Sequence, residues 1–140
     1  TAPIMPIRPF NPQTFTDILT AASWAEAATL QVLTKQWLQL MQGVDVVCID
    51  HAPTATLAAH LGGYPTVHVG EPFYLPPLLD PLPDLRPWQP TPAPTRQARD
   101  RAVLAVVNQV AKQFNHPGFT QLADAMLPTI PALWQVPALE

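Results

Sequence analysis

The sequence predicts an α/β fold in which a partial parallel sheet is flanked by helices. Three features carry that expectation: the apolar run VDVVCI at 44–49, an alanine-rich stretch from Pro53 to the Gly62-Gly63 pair, and a second short run, TVHV, at 66–69. Strand, helix and strand in so short a length form a βαβ unit, whose strands are parallel and whose crossover is right-handed. The first run is β-branched and lacks alternation, which is expected of a strand covered on both faces.

The other elements follow from capping and periodicity. Prolines at 3, 6, 9 and 12 make residues 1–12 an extended, proline-rich arm ahead of a single α/β domain over 13–140. Thr14 with Asp17 has the spacing of a capping box and opens a short helix to about residue 22. Ser23 and Glu26 repeat the spacing before a second helix, whose inward stripe is Leu30, Leu33, Trp37 and Leu40 and which stops at Gly43. Prolines at 72, 76, 77, 81, 83, 87, 90, 92 and 94 make 72–94 a connector, and its interleaved leucines and aromatics pack it across a surface. A long helix runs from Thr95 to about Asn115 with Val103, Val107, Val110 and Phe114 inward, and His116-Pro117-Gly118 ends it. A short helix over 119–126 and a last strand over 132–136 complete the chain.

Composition narrows the function. The 140 residues have the length of one domain, 48% are hydrophobic and 12% are charged, about half the usual ~25% share. Seven basic against ten acidic residues give a net charge of −3 with no Lys/Arg cluster, which argues against binding nucleic acid or an anionic membrane surface. Cys48 is the single cysteine, so an internal disulfide or a cysteine zinc site is excluded and a reducing, cytoplasmic location is expected. No stretch approaches the ~20 apolar residues of a membrane span, and the abrupt start TAPIMPIRPFNP, with no secretion-type apolar block, is expected of a piece of something larger.

Ligands of open parallel sheets bind beyond the carboxyl ends of the strands. Those ends are Asp50-His51 and Gly70-Glu71, so Asp50 and Glu71 are expected on one rim. A carboxylate there either polarises a histidine and binds substrate hydroxyls, or merely ties down the next turn. Neighbouring strand residues point to opposite faces, so Asp50 and His51 do not form a mutual dyad. His60, in the last turn of its helix where a cation suits the dipole, and His68, within a strand, are expected to be structural, as is Cys48. His51, His60, His68 and His116 offer no ligand spacing for a metal, and no glycine-rich phosphate loop follows a strand.

The stretch DVVCIDHAPTATLAAHLGGYPTVHVGEPFYLPP resembles the acceptor-domain segment of GT-B glycosyltransferases of the nucleotide-sugar-dependent, UDP-glucuronosyltransferase-like superfamily. Asp45, Asp50, Pro53, Ala55, Ala58, Ala59, Gly62 and Pro65 take the family's pattern positions, and the likeness continues through PLPDLRPW, Asn108 and PALWQVPALE. The resemblance implies a partial Rossmann-like sheet, the latter part of an amino-terminal acceptor-binding domain. It also implies transfer of a sugar from a nucleotide-sugar donor to a hydroxylated, hydrophobic small-molecule acceptor. Asp50 takes the place of the catalytic carboxylate that orients a histidine base; that histidine, the glycine-rich opening strand and the carboxyl-terminal domain expected to hold a UDP-sugar are not in this sequence. Glu71, Phe73 and Tyr74 are thereby placed at the acceptor pocket, Glu71 in spite of departing from the family's small or polar residue. His51 joins them by its position at the strand end alone. The chain by itself is expected to be inactive and to need no cofactor or metal of its own. The alternative is a non-catalytic scaffold subunit, with missing domains or a partner chain covering its apolar faces and strand edges.

Overall fold

Thr14 begins the first helix as its spacing with Asp17 predicts. The Thr14 N–H donates to the Asp17 carboxylate at 3.0 Å, and the Asp17 N–H donates back to Thr14 Oγ1 at 3.4 Å. A computed structural model describes residues 10–69 and 79–130 of the chain. Within them α1, Phe15–Leu19, runs into a π-helical turn, Thr20–Trp24, and α2 follows as Ala27–Leu40. The second capping box does not form. Ser23 is in the left-handed region at φ 71°, which puts its side chain out of line, and the Glu26 carboxylate instead accepts the Thr29 hydroxyl at 3.1 Å.

The βαβ unit is present with both strands shorter than expected. It comprises β1, Val47–Ile49, then α3, Pro53–Gly62, and β2, Thr66–His68. The strands pair in parallel, Val47 with Thr66 and Ile49 with His68. Pro53 starts α3 where its missing N–H costs nothing, and Gly63 closes it at φ 72°. Ile130 adds a parallel bridge on the far side of β2, its N–H donating to the Thr66 carbonyl at 2.9 Å. A mixed α/β architecture is therefore shown.

One expectation about β1 is overturned. Residues 44–46 lie outside the strand, and Val44, Val46 and Cys48 are exposed, so β1 is not covered on both faces. Among the described residues the helices cover one face only, where Ile49 packs with Met41, Ala55, Ala58 and Ala59. On α2, Leu30 is fully buried as expected, but the buried position one turn on is Thr34, and Leu40 is 73% exposed while its neighbour Met41 is buried against α3.

The larger core lies between the helices. Leu19, Trp24, Leu30, Leu57, Leu82, Val107, Val110 and Leu122 are all fully buried in it. α4, Ala93–Gln113, supplies Val103, Val107 and Val110 as the heptad-like spacing predicts, with Phe114 packed alongside. A 3-10 turn, Leu122–Met126, closes the core where a short helix was expected, and no helix among the described residues is long and apolar enough to cross a membrane.

The described part of the connector is docked. Leu82 is its anchor; the Phe15 N–H donates to the Pro83 carbonyl at 3.0 Å and the Leu85 N–H to the Gln13 carbonyl at 2.9 Å, an antiparallel pairing about Thr14 and Asp84. Trp88, by contrast, is 80% exposed, and Leu79 is exposed as well. The remainder of the connector, the residues at 1–9 and the expected strand over 132–136 lie outside the described residues.

Asp100 fixes this arrangement from the first half of α4. Its buried carboxylate accepts the Leu82 N–H at 2.7 Å and a short hydrogen bond from the Thr16 hydroxyl, tying connector and α1 to α4. Burial holds the Asp100 carboxyl above its ordinary range, the two hydrogen bonds opposing that shift. Asp100→Ala is expected to cost about 2–4 kcal/mol in urea unfolding, because it strands a buried N–H and a buried hydroxyl. Asp100→Asn, which keeps one acceptor for Leu82, is expected to cost less than half as much; equal losses would show that hydrogen bonding is not what the carboxylate contributes.

Candidate functional site at the carboxyl edge of the sheet

The parallel pairing sends the carboxyl ends of β1 and β2 to the same edge. β1 gives out after Ile49, whose carbonyl accepts the Val69 N–H at 2.9 Å, and Asp50 is the next residue. Asp50 is exposed, and among the described residues its carboxylate takes part in no hydrogen bond or ion pair. The first turn of α3 does not use it: the Thr56 N–H goes to the Ala52 carbonyl at 3.1 Å, and no side chain caps this helix. Of the two uses open to a strand-terminal carboxylate, tying down its own turn is thus not the one observed.

His51 follows in a left-handed conformation, at φ 44°. A residue with a Cβ there costs roughly 1–2 kcal/mol of local strain, and the conformation removes His51 from the strand's alternation of faces. It is exposed, like Asp50. The edge therefore presents two adjacent acid–base side chains to solvent. Glu71, Phe73 and Tyr74, the other three expected site residues, lie outside the described residues.

Beneath this edge lies a polar layer that sequence reasoning did not single out. The Trp24 indole N–H donates to Thr54 Oγ1 at 3.1 Å, attaching the π-helical turn to the first turn of α3. Thr56 Oγ1 donates to the Ala52 carbonyl at 3.3 Å and lies 3.1 Å from His68 Nε2. A hydroxyl has one proton, so where Thr56 gives it to Ala52 it accepts from the Nε2–H of His68; the direction of this bond follows the histidine tautomer. Burial holds His68 below the ordinary histidine range, and His60 adds to the depression.

His60 is structural, but not as a cation at a helix end. It is half-buried, donates from Nε2 to the Leu127 carbonyl at 2.6 Å, and sits edge-on to Phe119, with the rings 5.9 Å apart. Burial lowers its pKa, the hydrogen bond to Leu127 opposes this, and His116 lowers it further. His116 stacks on the same Phe119 ring at 4.9 Å and accepts the Gly118 N–H at 3.0 Å. Asn108 clasps the Phe119 backbone from α4, accepting its N–H at 2.8 Å and donating to its carbonyl at 3.0 Å. These groups hold the segment that ends in the Ile130 bridge.

Two other features are separate from the edge. A cavity of about 360 Å3 lies between α4 and residues 120–122, and its one buried carboxylate, Asp100, is already committed to Thr16 and Leu82. Among the described residues no three His, Cys, Asp or Glu side chains come together as a metal site.

Both lowered histidines give the same sign of pH dependence. The folded state takes up fewer protons than the unfolded chain, so stability is greatest above the unfolded histidine pKa of ~6.5 and falls as pH drops through it. Asp100, shifted upward, acts oppositely and only in the acidic carboxylate range. Urea unfolding is expected to show stability declining from pH 7.5 to 5.5 (roughly one unit either side of that pKa), and His68→Asn to flatten the decline. For the edge itself, His51→Val is expected to be about 1–2 kcal/mol less stable than His51→Gly, since glycine alone accepts this φ without strain.

Compared with known protein families, with curated proteins and with solved structures, the chain matches none, so the reading of this edge rests on its own geometry and on the sequence pattern.

Proposed function

We propose that the chain is part of the acceptor-binding half of a GT-B type glycosyltransferase with a partial Rossmann-like sheet, and that Asp50 is its orienting carboxylate. One observation carries the reading. A carboxylate stands at the carboxyl end of a parallel strand, exposed and unspent among the described residues, directly ahead of a proline-initiated crossover helix. A side chain that served only to close its turn would be hydrogen-bonded to that turn.

In this reading the acceptor hydroxyl oxygen attacks the anomeric carbon of a nucleotide-bound sugar. The bond from that carbon to the nucleotide's terminal phosphate oxygen breaks, and the nucleoside diphosphate leaves with the bonding pair. A histidine contributed from outside these residues takes the hydroxyl proton, and Asp50 holds the resulting imidazolium in place. Attack and departure on opposite faces invert the anomeric centre. The sequence pattern assigns Glu71, Phe73 and Tyr74 to binding the acceptor, together with His51, the residue after Asp50. The nucleotide sugar is a substrate, held by a domain these residues do not include.

The test uses the native polypeptide that contains these residues, supplied with UDP-sugars and a panel of hydrophobic phenols and alcohols. Transfer is expected, and Asp50→Asn is expected to lower kcat by about 100-fold or more, by analogy with catalytic triads. Its melting temperature should move by less than ~2 °C, since an exposed side chain contributes little to stability. Absence of transfer, or a loss of activity matched by a loss of stability, would contradict the reading.

A further inference from the structure

The carboxyl edge extends beyond the two strand ends. α2 and α3 run side by side in the same direction. Trp24, just ahead of α2, donates its indole N–H to Thr54 in the first turn of α3 at 3.1 Å, and near the far ends a Cβ on Gly62 would overlap the Leu38 side chain. α3 begins where β1 ends, at the carboxyl edge, and Thr54 is four residues beyond Asp50. The turn ahead of α2 therefore stands at the same edge as Asp50 and His51.

Ser23 in that turn is held in the left-handed region, at φ 71° and ψ 16°. Helices commonly end on one such residue, which is usually glycine and sometimes asparagine, because other side chains are strained there. Among the described residues the non-glycine positions with positive φ are Ser23, His51 and Asn115. Asn115 ends α4 in the ordinary way, so the serine and the histidine, both at the carboxyl edge, are the strained positions left to explain. Ser23 serves its turn through the backbone, its carbonyl accepting the Glu26 N–H at 3.2 Å. Its hydroxyl caps neither helix and enters no hydrogen bond among the described residues, and the residue is partly exposed. Glycine would build this turn without the strain, so the hydroxyl is what the serine adds. We propose that Ser23, on the acceptor-binding reading of this edge, is a specificity-determining residue whose hydroxyl hydrogen-bonds a second polar group of the acceptor, a hydroxyl or carbonyl beyond the hydroxyl that reacts. A site with such a hydroxyl favours acceptors that carry the second group over those that offer apolar surface in its place.

The test uses the native polypeptide that contains these residues, a UDP-sugar, and two sets of acceptors of the same shape: the meta and para hydroxyacetophenones, and the matching ethylphenols, which lack the carbonyl. Ser23→Gly is expected to lower kcat/KM for the better ketone about tenfold, the scale of one hydrogen bond, chiefly through KM. The ethylphenols should change by less than about twofold, because they make no such bond. Ser23→Asn, which tolerates the left-handed region and keeps hydrogen-bonding groups, is expected to retain part of the ketone preference. Neither variant should lower the melting temperature, since both residues accept this φ at least as well as serine. Transfer whose ratio of ketone to ethylphenol survives Ser23→Gly, or a loss shared equally by the two sets, would overturn the role of Ser23 and leave the transfer reading standing. Absence of transfer to every acceptor would overturn both.

Discussion

Two parallel strands cannot be joined by a tight turn, and that constraint organises this molecule. β1 must hand the chain to α3 at one edge of the sheet and recover it for β2 from the other, so both strands finish on the same side. Pro53 and Gly63 make the crossover possible at its two ends, one by tolerating the first helical turn and the other by taking a left-handed φ of 72°. Asp50 owes its position to this geometry. It is the residue at which the strand has ended and the helix has not begun, and neither element claims its oxygens.

The rest of the structure is tied to that unit by a few polar contacts across a mostly apolar core. Asp100 joins α4 to the connector and to α1, Trp24 joins the π-helical turn to α3, and Asn108 with the paired histidines holds the segment that reaches Ile130. Each is a buried or half-buried group with defined partners, and such groups fix one packing among many that apolar contacts alone would allow. The carboxyl edge is built in the opposite way. Asp50 is exposed there, and among the described residues its carboxylate takes part in no hydrogen bond or ion pair, above a layer in which Thr56 and His68 are hydrogen-bonded.

Much of this was legible in the sequence, and the failures have physical causes. The βαβ unit, the first capping box and the inward stripe of α4 could be read because each is a local pattern. Leu40 was misplaced because the inward stripe of α2 runs through Leu30, Thr34 and Met41, and the threonine within it disguises the stripe. Ser23 and Glu26 had capping spacing, but the chain left α1 through a π-helical turn that no pattern announced. β1 was expected to be covered on both faces because an apolar run records a strand's character, not the extent of the layers around it. Asp100 was missed although it lies on the same α4 stripe as Val103, Val107 and Val110; a charge on a core stripe is itself a signal that a buried partner exists. At the site, the position of Asp50 could be read and its exposure could not, since that depends on which amides the next turn leaves unsatisfied.

Two carboxylates stand in contrast in this molecule: Asp100 is consumed by its neighbours, and Asp50 is left open at the strand end. Carbodiimide coupling of an amine to surface carboxylates, followed residue by residue by mass spectrometry at fixed pH, measures that contrast directly. Asp50 should label at the rate of a freely exposed carboxylate such as Asp45, with Asp100 labelling far more slowly. An Asp50 as slow as Asp100 would mean that its oxygens are enclosed and occupied, and the carboxyl edge would lose its claim to chemistry.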